Sequence, residues 1–208
     1  ASHNQNIASS VNSSDGEKTL CFYAEDLSGN KETGVHKQIL RVDNTNPTFI
    51  INSASGSYVG GVYYQSSTTF TVDVGVNDNL SGYTRARFDL YNADDSNNCT
   101  SYIGWNEDNL LPPSLSTGRT LTKNGLSDGR YCLKIWTYDD VQNKSGVQTV
   151  KFTIDAQAPS APTIIFPNSE QYFSSSPILN DWTDVLDLSG IDYYRIEYAY
   201  DDGHTFSG

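Results

Sequence analysis

The chain has 208 residues, with 13 Lys and Arg against 25 Asp and Glu, for a formal charge of -12. Such a surface repels phosphate backbones and anionic lipid headgroups, which excludes nucleic acid and disfavours membrane surfaces as partners. Hydrophobic residues make up 37% and aromatic residues 12%, with 14 Tyr, 16 Gly and no Ala/Leu/Glu/Lys-rich stretch, so the composition favours an all-β chain with many turns.

Residues 1–46 read as the back of a unit. An alternating run, Thr19–Glu25, leads into the turn Asp26-Leu27-Ser28-Gly29-Asn30, and a further strand closes on Val42-Asp43-Asn44-Thr45-Asn46-Pro47. In such turns Asp and Asn side chains satisfy loop N–H groups, and Gly or Asn tolerates positive φ, so Asp26 and Asn30 are expected to be structural. Residues 47–158 read as a complete unit. Phe70, Val72, Val74 and Val76 share one face of a strand, as do Ala86, Phe88 and Leu90, then Tyr131, Leu133 and Ile135, then Val150, Phe152 and Ile154. Period-two burial with a polar outer face predicts antiparallel sheets packed as a sandwich. The stretch Asp95–Pro113 breaks the pattern and is expected to be an elaborated loop, with at most a short edge strand. Residues 159–208 read as the front of a third unit.

Two internal alignments support this division. Asp26–Asn30 matches Asp139–Asn143, and the closing Val42–Pro47 matches Ile154–Pro159. Asn79–Asp95 matches Asp187–Gly203, placing Gly82 on Gly190 as the turn glycines. The repeat is about 110 residues, the size of a small β-sandwich. The chain is therefore expected to start and stop inside its end units. With no methionine in the chain and no visible signal peptide, it is expected to be a mature or trimmed piece of a longer precursor. No apolar run approaches the roughly 18 residues that a spanning helix needs.

The run Gly129–Asp139, "GRYCLKIWTYD", with its following turn and closing Asp155…Pro159, resembles the strand signature of bacterial immunoglobulin-like repeats. Trp182 and the stretch from Ser189 to Gly203 resemble fibronectin type III strands. The resemblance implies tandem immunoglobulin-like antiparallel β-sandwiches, one complete and two partial, in an extracellular protein of a bacterial cell surface. It implies a stalk, filament or adhesin whose partners are neighbouring repeats of the same or an adjacent chain. It also implies calcium at interdomain linkers, where Asp43 and Asp155 sit, with Asp139 and Asp140 as further candidate ligands. Hard cations want several converging oxygen ligands. The alternative is that these Asp residues only cap turns. No cofactor is required by any motif.

Three cysteines occur, none in a C-x-x-C. Cys99 and Cys132 lie in one unit, where a bridge would tie the polar stretch to a core strand and would place the protein in an oxidising compartment. The alternative is two free thiols. Cys21 has no partner of its own, and its expected counterpart lies upstream of residue 1. Tyr102, Trp105, Trp136 and Tyr138 read as outward aromatics suited to a glycan or a protein ligand, or else packed beneath the polar stretch or between units. No G-x-S-x-G, H-E-x-x-H or P-loop is present, and the three histidines, His3, His36 and His204, are scattered. No catalytic residue is assigned, and the chain is expected not to be an enzyme. Two alternatives are a ligand- or carbohydrate-binding module that uses the Cys99 stretch and an accessory spacer of a secreted enzyme. Asn12, Asn79, Asn98 and Asn143 begin glycosylation sequons.

Overall fold

The computed structural model describes residues 14–167, 172–174 and 179–197. These residues form strands and turns, with no helix among them. In chain order the strands are β1 (Gly16–Phe22), β2 (His36–Val42), β3 (Thr48–Ala54), β4 (Ser57–Val59), β5 (Val62–Gln65), β6 (Phe70–Asn77), β7 (Tyr83–Ala93), β8 (Cys99–Ser114), β9 (Ser116–Lys123), β10 (Gly129–Asp139), β11 (Gln148–Ile154), β12 (Ile164–Phe166) and β13 (Asp181–Trp182).

Strands β3 to β11 build a two-layer sandwich. One sheet has the order β3-β6-β9, and the other has the order β4-β5-β11-β10-β7-β8. All neighbours are antiparallel except β5 and β11. A three-strand sheet facing a sheet centred on β11-β10-β7 is the immunoglobulin-like and fibronectin-type arrangement. The alternating residues that sequence placed on one face do form the core. Val72, Val74, Val76, Phe88 and Leu90 from β6 and β7 meet Leu133, Ile135, Phe152 and Ile154 from β10 and β11, all buried. Phe70 and Phe152 stack across the layers at 3.8 Å between ring centroids.

Two expectations are corrected here. The stretch expected to be a loop is strand β8, which pairs along β7 from Ala93↔Cys99 to Tyr83↔Ser114, with three register shifts. Its composition is polar because an edge strand is held by backbone hydrogen bonds to a single neighbour, and Pro112 and Pro113 are tolerated at such an edge. Strand β10 is buried on both faces, not one. It lies inside the larger sheet, and Cys132 and Trp136 are buried on its outer face, behind the core-facing Leu133, Ile135 and Thr137.

Outside the sandwich, hairpin β1–β2 pairs Gly16↔Val42 through Phe22↔His36, and β10–β11 pairs Gly129↔Ile154 through Ile135↔Gln148. The two ladders have the same register. Leu20 and Phe22 are exposed on the first, whereas their counterparts Leu133 and Ile135 are buried on the second. Strands β12 and β13 form an antiparallel pair followed by Leu188-Ser189-Gly190, as β3 and β6 pair ahead of Leu80-Ser81-Gly82.

Candidate metal centre at a linker

The linker Asp43–Pro47 enters the sandwich at the end where β6 finishes and β10 turns into β11. Asp43 folds the linker on itself, its Oδ1 accepting from Thr45 N at 3.0 Å. Its Oδ2 reaches forward to accept from Ser81 N at 2.9 Å. Behind it, Asp15 accepts from Asn44 N at 2.7 Å and from the Thr45 hydroxyl. Pro47, which has no N–H to satisfy, is buried at the sandwich entrance.

Asp78 immediately follows β6. Its Oδ2 accepts from Leu80 N at 3.1 Å and Gly82 N at 2.6 Å. The turn needs Gly82, whose φ is +85. Asp139 ends β10. Its Oδ1 accepts from Asn143 N and its Oδ2 from Asn143 Nδ2, both at 2.7 Å. The same Asn143 amide donates to the linker carbonyl of Asp43 at 3.0 Å, so one side chain ties the turn to the linker.

These turns bring three carboxylates together. One oxygen each of Asp43, Asp78 and Asp139 lies within 4.8 Å of the others. Asp78 and Asp139 are buried and Asp43 is half-buried. Among the described residues, none of the three has an ion pair with Lys or Arg. Asp78 Oδ1 is buried with no hydrogen-bond partner. Like charges this close repel by on the order of a few kcal/mol per pair at an intermediate dielectric. A buried carboxylate oxygen without a donor adds a desolvation cost. A hard divalent cation relieves both. Calcium–oxygen distances are about 2.3–2.6 Å, so oxygens within twice that span can share one ion.

The cluster contains two of the four expected ligands, Asp43 and Asp139, and adds Asp78. Asp140 is exposed and outside it, with its backbone N–H bonded to Gly82 O at 2.9 Å. Asp155 also lies outside it, at the opposite end of the sandwich, where it accepts from Gln157 N at 3.3 Å and Ser189 N at 2.8 Å. Burial pushes the Asp155 carboxyl up, but hydrogen bonds from Ser189 and the Gln157 backbone and one shared with Asp187 outweigh it and hold the group below its usual value. The overlooked Asp78 had a signal in the sequence: like Asp139, it stands directly after an alternating apolar run.

The turn motif is also more frequent than the repeat alone revealed. Asp26–Asn30, Asp94–Asn98 and Asp139–Asn143 close identically, with the Asp N–H donating to the Asn carbonyl and the Asn N–H to the Asp carboxylate. The fourth residue is left-handed in all three: Gly29 at +84, Asn97 at +58 and Gln142 at +72. The Asn30 side-chain amide and backbone N–H hold the Asp26 carboxyl below its usual value, and the Asn98 backbone and side chain do the same for Asp94. At the second junction Gly190 has φ +86, matching Gly82.

The expected outward aromatics take different places. Trp136 is buried, with Lys144 Nζ 4.3 Å and the Arg87 guanidinium 5.5 Å from its ring. Tyr138 lies beneath Arg85 at 4.3 Å. Cations thus cover faces that a sugar would need. Tyr102 is half exposed and packs edge-on against Tyr91 at 5.5 Å. The Trp105 side chain lies outside the described residues, as do His3, His204 and Asn12.

Cys99 and Cys132, expected either as a bridge or as two free thiols, stand unbonded, as does Cys21. Cys132 is buried, its Sγ 3.8 Å from Asn97 O. Burial, then a hydrogen bond with the Cys99 thiol, push the Cys132 thiol up to about 12. Cys21 is exposed.

No family model and no curated protein matches the sequence. Among solved structures, the chain is similar to fibronectin(III)-like modules of Clostridium thermocellum CbhA, with 18% identity and a TM-score of 0.36 over 67% of this chain. The match spans 63% of that structure's chain. The fold assignment above rests on strand order and register.

Proposed function

We propose that the chain is a non-catalytic segment of an extracellular, bacterial multi-repeat surface protein, a stalk or filament of immunoglobulin-like sandwiches joined end to end. One observation carries this reading: the two linkers share three hydrogen bonds at matching positions. Asp15 accepts from Asn44 N at 2.7 Å, and Asp128 accepts from Ala156 N at 2.9 Å. Asp43 caps Thr45 N as Asp155 caps Gln157 N. Asp43 then reaches Ser81 N at 2.9 Å, as Asp155 reaches Ser189 N at 2.8 Å. A linker meant only to tether has no need of such fixed bonds to both neighbours. A repeated rigid joint sets the angle between successive units, which is what a stalk requires.

Calcium at Asp43, Asp78 and Asp139 would stiffen the first joint. The partners in this reading are neighbouring repeats, on the same chain or an adjacent one. The covered faces of Trp136 and Tyr138 weigh against a glycan-binding module.

Small-angle scattering of the chain in calcium tests the reading. The expected result is an elongated particle whose maximum dimension shrinks and blurs when Asp43 and Asp155 are both replaced by Ala. A profile as flexible before the substitutions as after them would overturn it.

A further inference from the structure

The chain is acidic as a whole, but its positive charge is gathered in one place. Six of its 13 Lys and Arg residues, Arg85, Arg87, Arg130, Lys134, Lys144 and Lys151, lie on the outer face of β7, β10 and β11 or on the turn after β10. The pleat puts them there, because their neighbours Ala86, Phe88, Leu133 and Phe152 fill the core. Rings of the same face hold four of them. Arg85 lies over Tyr138, Arg87 and Lys144 over Trp136, and Lys134 over Tyr91 at 4.5 Å. Cations seated on rings are in position before any partner arrives, so docking costs them little side-chain entropy. Two of the six are paired within the chain, Arg87 with Asp89 at 3.3 Å and Arg130 with Asp95 at 2.6 Å. Arg85 donates to the neutral Gln142 side chain at 2.6 Å. Lys134, Lys144 and Lys151 have no ion pair among the described residues. Asp94 lies in range of Lys151 but is already held by the Asn98 amides.

The opposite charge lies farther along the chain. After Lys151 the sequence has a single cation, Arg195, and it is bonded to Glu197. Asp181, Asp184 and Asp192 are exposed in that stretch and have no ion pair among the described residues. We propose that the outer face of β7, β10 and β11 docks the Asp181–Asp192 stretch of a second copy of this chain. Charge complementarity selects this occupant: three unpaired ammonium groups on one surface face three unpaired carboxylates on the other. Neutral sugars are poor occupants, since the ring faces are already covered. Two chains of net charge -12 repel at long range. Salt near 0.15 M screens that repulsion beyond about 8 Å, whereas facing charges in contact still attract. The two surfaces differ, so the contact is heterologous. Each copy offers one cationic face and one acidic stretch, and successive copies form a staggered row rather than a two-fold pair. This side-by-side contact is separate from the end-to-end linkers and does not depend on a metal ion at Asp43.

Sedimentation velocity of the whole chain tests this, in chelator so that no divalent ion bridges carboxylates. The expected result is concentration-dependent association at about 0.1 M salt that weakens about tenfold or more by about 0.5 M. A chain with Lys134→Gln, Lys144→Gln and Lys151→Gln should be monomeric. So should one with Asp181→Asn, Asp184→Asn and Asp192→Asn. Mixed in equal amounts, the two variants should pair and stop at the dimer, because between them they keep one intact contact. That pairing also shows that both are folded. A chain with Lys18→Gln, Lys31→Gln and Lys37→Gln, equal in net charge to the first variant, should associate like the parent. A parent chain that stays monomeric at both salt concentrations would overturn the proposal, even if polyglutamate binds the cationic face. Association that survives either triple substitution, a mixture that stays monomeric, or a control that dissociates as the first variant does would overturn it as well.

Discussion

Ser81 donates its backbone N–H to the Asp43 carboxylate at 2.9 Å, joining the turn after β6 to the linker that precedes the sandwich. The bond makes a linker residue part of the sandwich end. It also places the Asp43 carboxylate beside those of Asp78 and Asp139, where it repels both.

That repulsion has a sign that can be measured. Asp78→Asn keeps an oxygen to accept from Leu80 and Gly82 and replaces the unpartnered Oδ1 with a neutral amide. In chelator, the variant should melt about 2–4 °C above the parent chain, as expected for roughly 1 kcal/mol in a chain of this size. In calcium the order should reverse. Differential scanning calorimetry reads both, and a variant less stable than the parent in chelator would show that the repulsion is not significant.

The bare hairpin predicts an asymmetry in stability. Ile135 is buried in the sandwich core, and its counterpart Phe22 is exposed on β1. Ile135→Ala should cost about 2–5 kcal/mol. Phe22→Ala should stay within about 0.5 kcal/mol, as exposed substitutions do. Urea denaturation followed by circular dichroism gives both values. A large loss at Phe22 would mean that the hairpin is covered in solution.

Acid should loosen the turns and the second linker together. The carboxyls of Asp26, Asp94 and Asp155 are all held below their usual value by hydrogen bonds to the charged form, although burial opposes this at Asp155. A depressed folded-state value means that the stabilisation is fully present above the ordinary carboxylate range. It is lost as pH falls through the depressed values. NMR titration of the Asn30, Asn98 and Ser189 amides should show protection that is flat near neutrality and falls only below about pH 4. Protection already lost at pH 6 would contradict this origin.

The three thiols should react in a fixed order. The exposed Cys21 should alkylate first and the buried Cys132 last, since its thiol sits near 12 and carries almost no thiolate at pH 8. Oxidised glutathione should then close Cys99 onto Cys132 by two successive exchanges, releasing two reduced glutathione molecules and lowering the mass by two hydrogens. Peptide mapping identifies the pair, and a Cys21-containing bridge would count against the assigned proximity.

The core was legible because period-two alternation follows directly from the pleat: Val72, Val74 and Val76 could face only one way. What covers the opposite face is not written in that period. Trp136 was placed on the outer face, but Arg87 comes from the neighbouring strand and Lys144 from beyond the next turn, so its covering depends on tertiary approach. The length of strand β8 is not legible in the sequence for a related reason. Its place depends on backbone bonds to β7, which leave no alternation in the side chains. The candidate carboxylate cluster is half legible: the resemblance points to Asp43 and the acidic pair after β10 to Asp139, whereas Asp78 joins them only because β6 and β10 end at the same side of the sandwich.

Isothermal titration of calcium into the chelator-stripped chain, in parallel with Asp78→Asn, tests the cation-braced joint most directly. The account predicts saturable binding in the parent chain, with loss of that site in a variant that keeps its circular dichroism spectrum. Equal binding by both chains, or no binding by the parent, would contradict it.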